Sequence, residues 1–220
     1  MPTPIRVTKI HHACLTVDDG STRLLLDPGR FGPRPDLDGI DAVLITHRHF
    51  DHFDPELVEE ALGRGVPVWM PGDAFGDLGD SSGAVGDNLH EAVAGATLRI
   101  GALTVQVSGS RHAEVHPTIP GPENRAYLID ERVLVTGDEH PVPPGRLTAL
   151  VTPADAPWLR AADLIRYVRA VRPELVVGVH DGLLNADGLS VARRVVDSLR
   201  GEGAARSALL ADGEAIDIPE

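Results

Sequence analysis

Two apolar periods alternate along this chain. Short alternating or continuous runs of Val, Leu and Ile predict strands at 5–10, 13–17, 23–26, 42–45 and 66–70. Asp18-Asp19-Gly20-Ser21 is a hairpin signal between the second and third runs, so the chain opens as an antiparallel meander. The segment 55–62 begins with Pro and sets Leu57, Val58, Ala61 and Leu62 at helical spacing, which predicts a helix. Residues 71–78 read as a brief helix, followed by a Gly- and Ser-rich loop through Gly86. Runs at 91–93, 96–100 and 103–107, with Gly95 and Gly101 as turns, read as a second antiparallel meander. The stretch 112–125 reads as a loop, because Pro117, Pro120 and Pro122 exclude regular structure. Runs at 126–129 and 133–135 then form a hairpin through Asp130-Glu131-Arg132.

From Leu147 the pattern becomes strand and helix in alternation: strand 148–151, helix 159–171, strand 174–179 and helix 189–200, the last opened by Asp187-Gly188. Leu159, Ala162, Ile165, Tyr167, Val168 and Val171 fall near one helical face, as do Leu189, Ala192, Val195, Val196 and Leu199. Short strands at 209–210 and 216–218 flank a turn at Asp212-Gly213. Two strand-rich halves, each followed by helices, predict a four-layer α-β-β-α sandwich of the α/β (α+β) class. No repeat or linker divides it, so 1–220 reads as a single domain.

Composition changes this picture little. A chain of 220 residues with 42% hydrophobic and 24% charged residues can bury a sizeable core, and at 4% aromatic content that core is aliphatic. The net charge of -13 has a functional consequence. It disfavours nucleic acid and anionic membrane as partners, since phosphate binding rests on clustered Lys and Arg. There is no apolar run near the ~18 residues a membrane span needs and no apolar leader, so the expectation is a soluble, cytoplasmic protein. The one cysteine, Cys14, is compatible with a reducing compartment.

The chemistry is concentrated in Thr46-His47-Arg48-His49-Phe50-Asp51-His52, directly after the apolar run 42–45. His47 and His49 differ by two, so in an extended segment both imidazoles project to the same side and can share a cation. Asp51 and His52 follow where the chain must turn toward the helix at 55–62, and a turn can aim them at a second cation. Imidazole and carboxylate donors suit zinc, manganese or iron. Three other donors follow strand-like runs: His112 after Ser108-Gly109-Ser110-Arg111, Asp138 in Thr136-Gly137-Asp138, and His180 after 175–179.

The His-x-His-x-Asp-His pattern, with a lone His, a Gly-Asp and a late His in that order, resembles the metallo-β-lactamase-fold hydrolases over nearly the whole chain. The resemblance implies the same sandwich fold and two divalent transition-metal ions. His47, His49 and His112 would hold one ion, Asp51, His52 and His180 the other, and Asp138 would bridge them. Asp51 would also orient the attacking hydroxide or return its proton to the leaving group. His12-Ala13-Cys14 and Ala156-Pro157-Trp158 resemble the L-ascorbate-6-phosphate-lactonase-like bacterial branch, with His11 where that branch has Gly. The resemblance also suggests Asp27 as a hydrogen-bonding support for the His-x-His loop, while His12 reads as structural or as a contact behind the ligands. Glu139 and His140 depart from the family, which has a small or hydroxyl residue beside the bridging Asp.

The expected reaction is hydrolysis of a small ester, lactone or phosphodiester. Two alternatives remain: persulfide-dioxygenase-like redox chemistry on one iron held by two His and one Asp, and a non-catalytic metal-stabilised binding module. Around the ligands, His116, Arg111 and Arg125 are candidate substrate contacts. With Arg48, the two arginines suggest a basic rim for a small anionic substrate in an otherwise acidic chain.

Overall fold

In the computed structural model, which describes residues 4–79 and 86–219, alternation along the strands sorts side chains between three apolar layers. Strand β1 is Ile5–His11, β2 Cys14–Asp18, β3 Arg23–Leu26, β4 Ala42–Leu44, β5 Val68–Met70 and β6 Leu89–Glu91. Strands β7 (Thr97–Ile100), β8 (Leu103–Ser108), β9 (Ala126–Ile129), β10 (Val133–Val135), β11 (Ala149–Pro153), β12 (Leu175–Val179), β13 (Arg206–Leu209) and β14 (Ala215–Ile218) follow. One sheet runs β14-β1-β2-β3-β4-β5-β6 and the other β13-β12-β11-β10-β9-β8-β7. Each sheet is an antiparallel meander on one side and a parallel array on the other.

Leu24, Leu26, Ala42 and Leu44 of the first sheet meet Val133, Val135, Ala149, Val151, Leu175 and Val177 of the second in the central core. The intervening residues point outward. Leu25, Val43 and Ile45 pack on Leu57, Val58 and Ala61 of helix α1 (Pro55–Gly63). Leu134, Leu150 and Val176 pack on Leu164, Tyr167 and Val168 of helix α2 (Ala161–Val171). Helix α3 (Ala186–Ser198) covers β13 through Ala192 and Val196. This is the four-layer sandwich, with the inner parallel strands β4, β11 and β12 buried on both faces. Among the described residues no helix is long and apolar enough to cross a membrane.

Several sequence expectations change. The three runs at 91–107 do not form one meander. β6 pairs parallel with β5 in the first sheet, and only β7 and β8 pair antiparallel, so the chain crosses between sheets after β6. Similarly, β13 pairs with β12 while β14 pairs with β1, so the turn near Asp212-Gly213 joins different sheets. Proximity in sequence favours hairpins, but here neighbouring runs take the edges of different sheets. Residues 71–78 contain a 3-10 helix, Gly72–Asp77. Helix α3 starts at Ala186, earlier than expected, because the Asn185 side chain caps it by accepting from Gly188 N at 2.9 Å. Part of the Gly- and Ser-rich loop, 80–85, lies outside the described residues.

The turn after β3 supports the loop after β4. Arg30 N donates to Phe50 O at 2.7 Å and Asp54 N to Pro28 O at 3.0 Å, while Asp54 caps α1 by accepting from Glu56 N. Gly29 lies so close that an added Cβ would overlap the Asp51 backbone carbonyl. Gly29→Ala is therefore expected to destabilise the protein by at least about 2 kcal/mol, because neither backbone can yield without displacing the other. A shift of the denaturant midpoint checks this, and an unchanged midpoint would show that the two turns move freely.

Candidate metal centre

The site is assembled where parallel strands end. From the first sheet come Asp27, just past β3, and His47, His49, Asp51 and His52, past β4. From the second come Asp138 past β10 and His180 past β12, with His112 beyond β8. Side-chain donor atoms of His47, His49 and His112 lie within 4.8 Å of one another, as do those of Asp51, His52, His180 and His12, and those of His47, His52 and Asp138. The structure thus brings all seven candidate ligands into one cluster and links its two halves through Asp138.

Hydrogen bonds decide which imidazole nitrogen faces inward. His52 Nδ1–H donates to Asp27 Oδ2 at 2.8 Å, His180 Nδ1–H to Asp155 O at 2.7 Å and His112 Nδ1–H to Ala113 O at 2.6 Å. Thr46 Oγ1–H donates to Asp27 Oδ2 at 2.7 Å, so Thr46 Oγ1 itself accepts from His47 Nδ1–H at 3.1 Å. In these four histidines Nδ1 is engaged and Nε2 faces the cluster, the nitrogen that metal ligation would use. His49 turns its Nδ1 to within 3.1 Å of His47 Nε2.

His12 differs. Its Nδ1 accepts from Gly182 N at 2.9 Å, so the proton sits on Nε2 and donates to Asp51 Oδ2 at 3.3 Å. A neutral imidazole has one lone pair, and here it is engaged. His12 therefore holds Asp51 from behind and is not itself a ligand, although its distance alone would admit it.

The carboxylates complete the charge. Asp138 Oδ1 lies 3.4 Å from His52 Nε2, and Oδ2 lies 3.3 Å from His112 Nε2 and 3.5 Å from His180 Nε2. Asp51 Oδ2 is 3.3 Å from His180 Nε2. Burial would raise both carboxyl pKa values, but the surrounding histidines hold Asp138 well below the usual carboxylate range, and His12, His180 and His52 hold Asp51 low. Burial also pushes His47 well below the ordinary imidazole value and His49 in the same direction, which keeps both neutral.

Among the described residues, His52 Nε2, His180 Nε2 and Asp138 Oδ1 are buried without a hydrogen-bond partner. An orphaned buried polar atom costs about 1–3 kcal/mol, so three converging on one point require compensation. Divalent cations fit: the lone pairs point inward and two carboxylates balance charge. Backbone strain concentrates here too. His12, Asp27 and His180 have φ of 52°, 47° and 66°, a left-handed conformation that L-residues adopt only when held. Gly137 (φ 59°) lets the Asp138 turn close on its neighbours, since a Cβ there would lie 2.5 Å from Asn124 Oδ1 and 2.6 Å from Thr46 Cβ.

The proposed substrate contacts fare differently. Arg125 is 7% exposed; it donates to Ala92 O, Ser110 O and Asn124 O and pairs with Glu123, so it clamps loops and is not a substrate contact. Arg48 pairs with Asp77 at 2.5 Å and Arg111 donates to Gly121 O at 2.9 Å. The three do not assemble a basic rim. His116 lies outside the metal-capable groups, and its exposed ring is engaged by Thr118.

Two neighbours of Asp138, Asn124 and Trp158, have a role at the site that the sequence did not assign them. Asn124 accepts from Asp138 N at 3.1 Å and donates to Thr136 O at 2.9 Å, which shapes the Asp138 turn. Trp158 Nε1–H donates to Asp138 Oδ2 at 2.7 Å. Glu139 and His140 are explained by packing. Glu139 accepts from Ser110 N and Asn124 Nδ2, tying the His112 and Asp138 loops, while His140 stacks on Tyr167 at 4.2 Å.

Residues 6–180 match the family described as Beta-lactamase superfamily domain. Protein Rv0786c of Mycobacterium tuberculosis is 34% identical over 193 residues, covering 85% of this chain and 89% of its own. The UPF0173 metal-dependent hydrolase MJ1163 of Methanocaldococcus jannaschii is 29% identical over 139 residues, 60% of each chain. Among solved structures, Igni18, a novel metallo hydrolase from the hyperthermophilic archaeon Ignicoccus hospitalis, superposes with a TM-score of 0.69 at 16% identity. The match covers 99% of this chain and 100% of that one.

Proposed function

The chain belongs to the beta-lactamase superfamily domain family, and on that premise we propose that it is a metal-dependent hydrolase of a small ester, lactone or phosphodiester, working with two divalent transition-metal ions. The observation that carries this reading is the inward Nε2 of His47, His52, His112 and His180 around the buried Asp138 and the half-buried Asp51. The names of relatives, metal-dependent hydrolase among them, support it.

His47, His49 and His112 would hold one ion, Asp51, His52 and His180 the other, with Asp138 between. Bound ions supply a water acidic enough to be nucleophilic at neutral pH and a Lewis acid for the substrate oxygen. The chain's own residues do the rest. Asp27 and Asp155 hold the tautomers of His52 and His180 through their Nδ1–H groups. Asp51 has a side chain 16% exposed, against 4% for Asp138, so it is the carboxylate that reaches incoming substrate and water. Held by His12 Nε2–H, it orients the attacking water and passes a proton toward the leaving group. The lactonase-like branch supplies the first substrates to try.

Purified protein is expected to carry close to two ions per chain, of zinc, manganese or iron, and to lose hydrolysis reversibly on chelation. Elemental analysis and a panel of esters, lactones and phosphodiesters test this. Saturation at one ion with Asp51 and His52 replaceable without effect would overturn the dinuclear reading, and one iron with oxygen consumption would replace hydrolysis by redox chemistry.

A further inference from the structure

Asp138 is the one carboxylate shared by both histidine groups, and one of its oxygens already has a partner. Trp158 lies between the end of β11 and the start of α2, and its indole N–H donates to Asp138 Oδ2 at 2.7 Å. The indole is itself braced: the His140 ring meets it edge-on at 5.1 Å and is fixed by stacking on Tyr167, whose hydroxyl donates to Pro141 O at 2.7 Å. On the other side the His112 ring stands edge-on at 6.2 Å. A carboxylate offers about four lone-pair positions, two on each oxygen. Trp158 engages one on Oδ2, which leaves one there and two on Oδ1, the oxygen that is buried without a hydrogen-bond partner and faces His52. Oδ2 alone therefore cannot serve two cations.

We propose that Trp158 is a positioning residue of the metal centre: its indole N–H sets the rotation of the Asp138 carboxylate, directs Oδ1 to the His52 side, and makes the indole a reporter of cation binding. This rests on the metal-centre reading above. It also explains His140, whose ring fixes the indole plane without entering the metal-capable groups.

The test uses the whole chain. In Trp69→Phe, Trp158 is the only tryptophan. Zinc added to this chelator-stripped variant is expected to change Trp158 emission in step with zinc uptake, which an indole without a tie to the cation-binding carboxylate would not show. Trp158→Phe keeps the ring packing and removes the donor. It is expected to retain its far-ultraviolet circular dichroism and to lose about tenfold or more in affinity for at least one zinc equivalent, the scale of losing a group that orients a metal ligand. Unchanged zinc affinity in Trp158→Phe, or an emission that stays flat while zinc binds, overturns the proposal and leaves the metal centre standing. Failure of the wild type to bind zinc, manganese or iron overturns both. If Trp158→Phe does not fold, the emission titration in Trp69→Phe decides alone.

Discussion

Asp138→Asn is expected to lose most of its bound metal and to lower hydrolysis by at least about 100-fold, the upper end of what even groups behind a metal ligand cost. Asp138 is buried and its carboxylate oxygens lie 3.3–3.5 Å from Nε2 atoms of His52, His112 and His180, so it is the common negative charge of both histidine groups. An asparagine is nearly isosteric, and its remaining oxygen can still accept from Trp158. What it removes is the charge and one acceptor, replaced by an NH2 that presents hydrogens to the cations. Metal content by elemental analysis and rate on the best substrate of the panel measure the outcome. His140→Ala is the comparison: it removes a ring that braces Trp158 but no donor of the metal-capable groups, so its metal loss is expected to be much smaller. Equal metal loss in the two variants would move the centre of the site away from Asp138.

Asp27 is expected to give the second large effect, through a proton and not through a ligand. Its carboxylate accepts three times: from Thr46 N at 2.7 Å on Oδ1, and from Thr46 Oγ1 and His52 Nδ1 on Oδ2. In Asp27→Ala all three buried donors, Thr46 N–H, Thr46 Oγ1–H and His52 Nδ1–H, lose their acceptor, an expected destabilisation of at least about 3 kcal/mol at about 1–3 kcal/mol for each buried donor left unpaired. Asp27→Asn is more selective. With the amide oxygen still toward Thr46 N, the amide NH2 faces His52 Nδ1, which must then accept, so the imidazole proton moves to Nε2 and the inward lone pair is lost. The expected result is a folded protein, by denaturant midpoint within about 2 kcal/mol of wild type, that binds the second equivalent of metal at least about tenfold more weakly. Nitrogen-15 spectra of the His52 ring would report the tautomer directly. Wild-type metal affinity in Asp27→Asn, with His52 still protonated on Nδ1, would show that Asp27 does not set the tautomer.

The layered fold was largely legible because alternation is a local property. Leu24, Leu25 and Leu26 go to the central core, the helix layer and the central core in turn, as period two requires. Strand partners were less legible. The runs at 91–93 and 96–100 are neighbours in sequence yet the strands there belong to different sheets, since an edge strand's partner is set by the packing of the whole chain and not by its own pattern. Helix periods were read correctly in kind, but α3 began at a cap, Asn185, whose side-chain bond to Gly188 N outweighed the Asp187-Gly188 signal.

The arginines near the ligands show the limit of arguing from sequence neighbours. Arg125 follows a loop full of charged and metal-capable residues, yet its guanidinium is turned inward against carbonyls of Ala92, Ser110 and Asn124. Nothing in the sequence states which way a side chain leaves a loop. Trp158 presents the reverse case: twenty residues beyond Asp138 in sequence, it donates straight to that carboxylate.

By itself, the sequence determined the donor set and its place at strand ends, since residue type, the two-residue spacing of His47 and His49, and apolar runs before Asp138 and His180 are all local facts. Only the tertiary structure decided what each imidazole can do with its lone pair. The acceptors that hold Nδ1–H come from far along the chain, Asp27 for His52 and Asp155 for His180, while Gly182 N–H gives His12 the opposite tautomer. A histidine carries one proton and one lone pair, and which nitrogen keeps which is settled by the partner that folding brings against it.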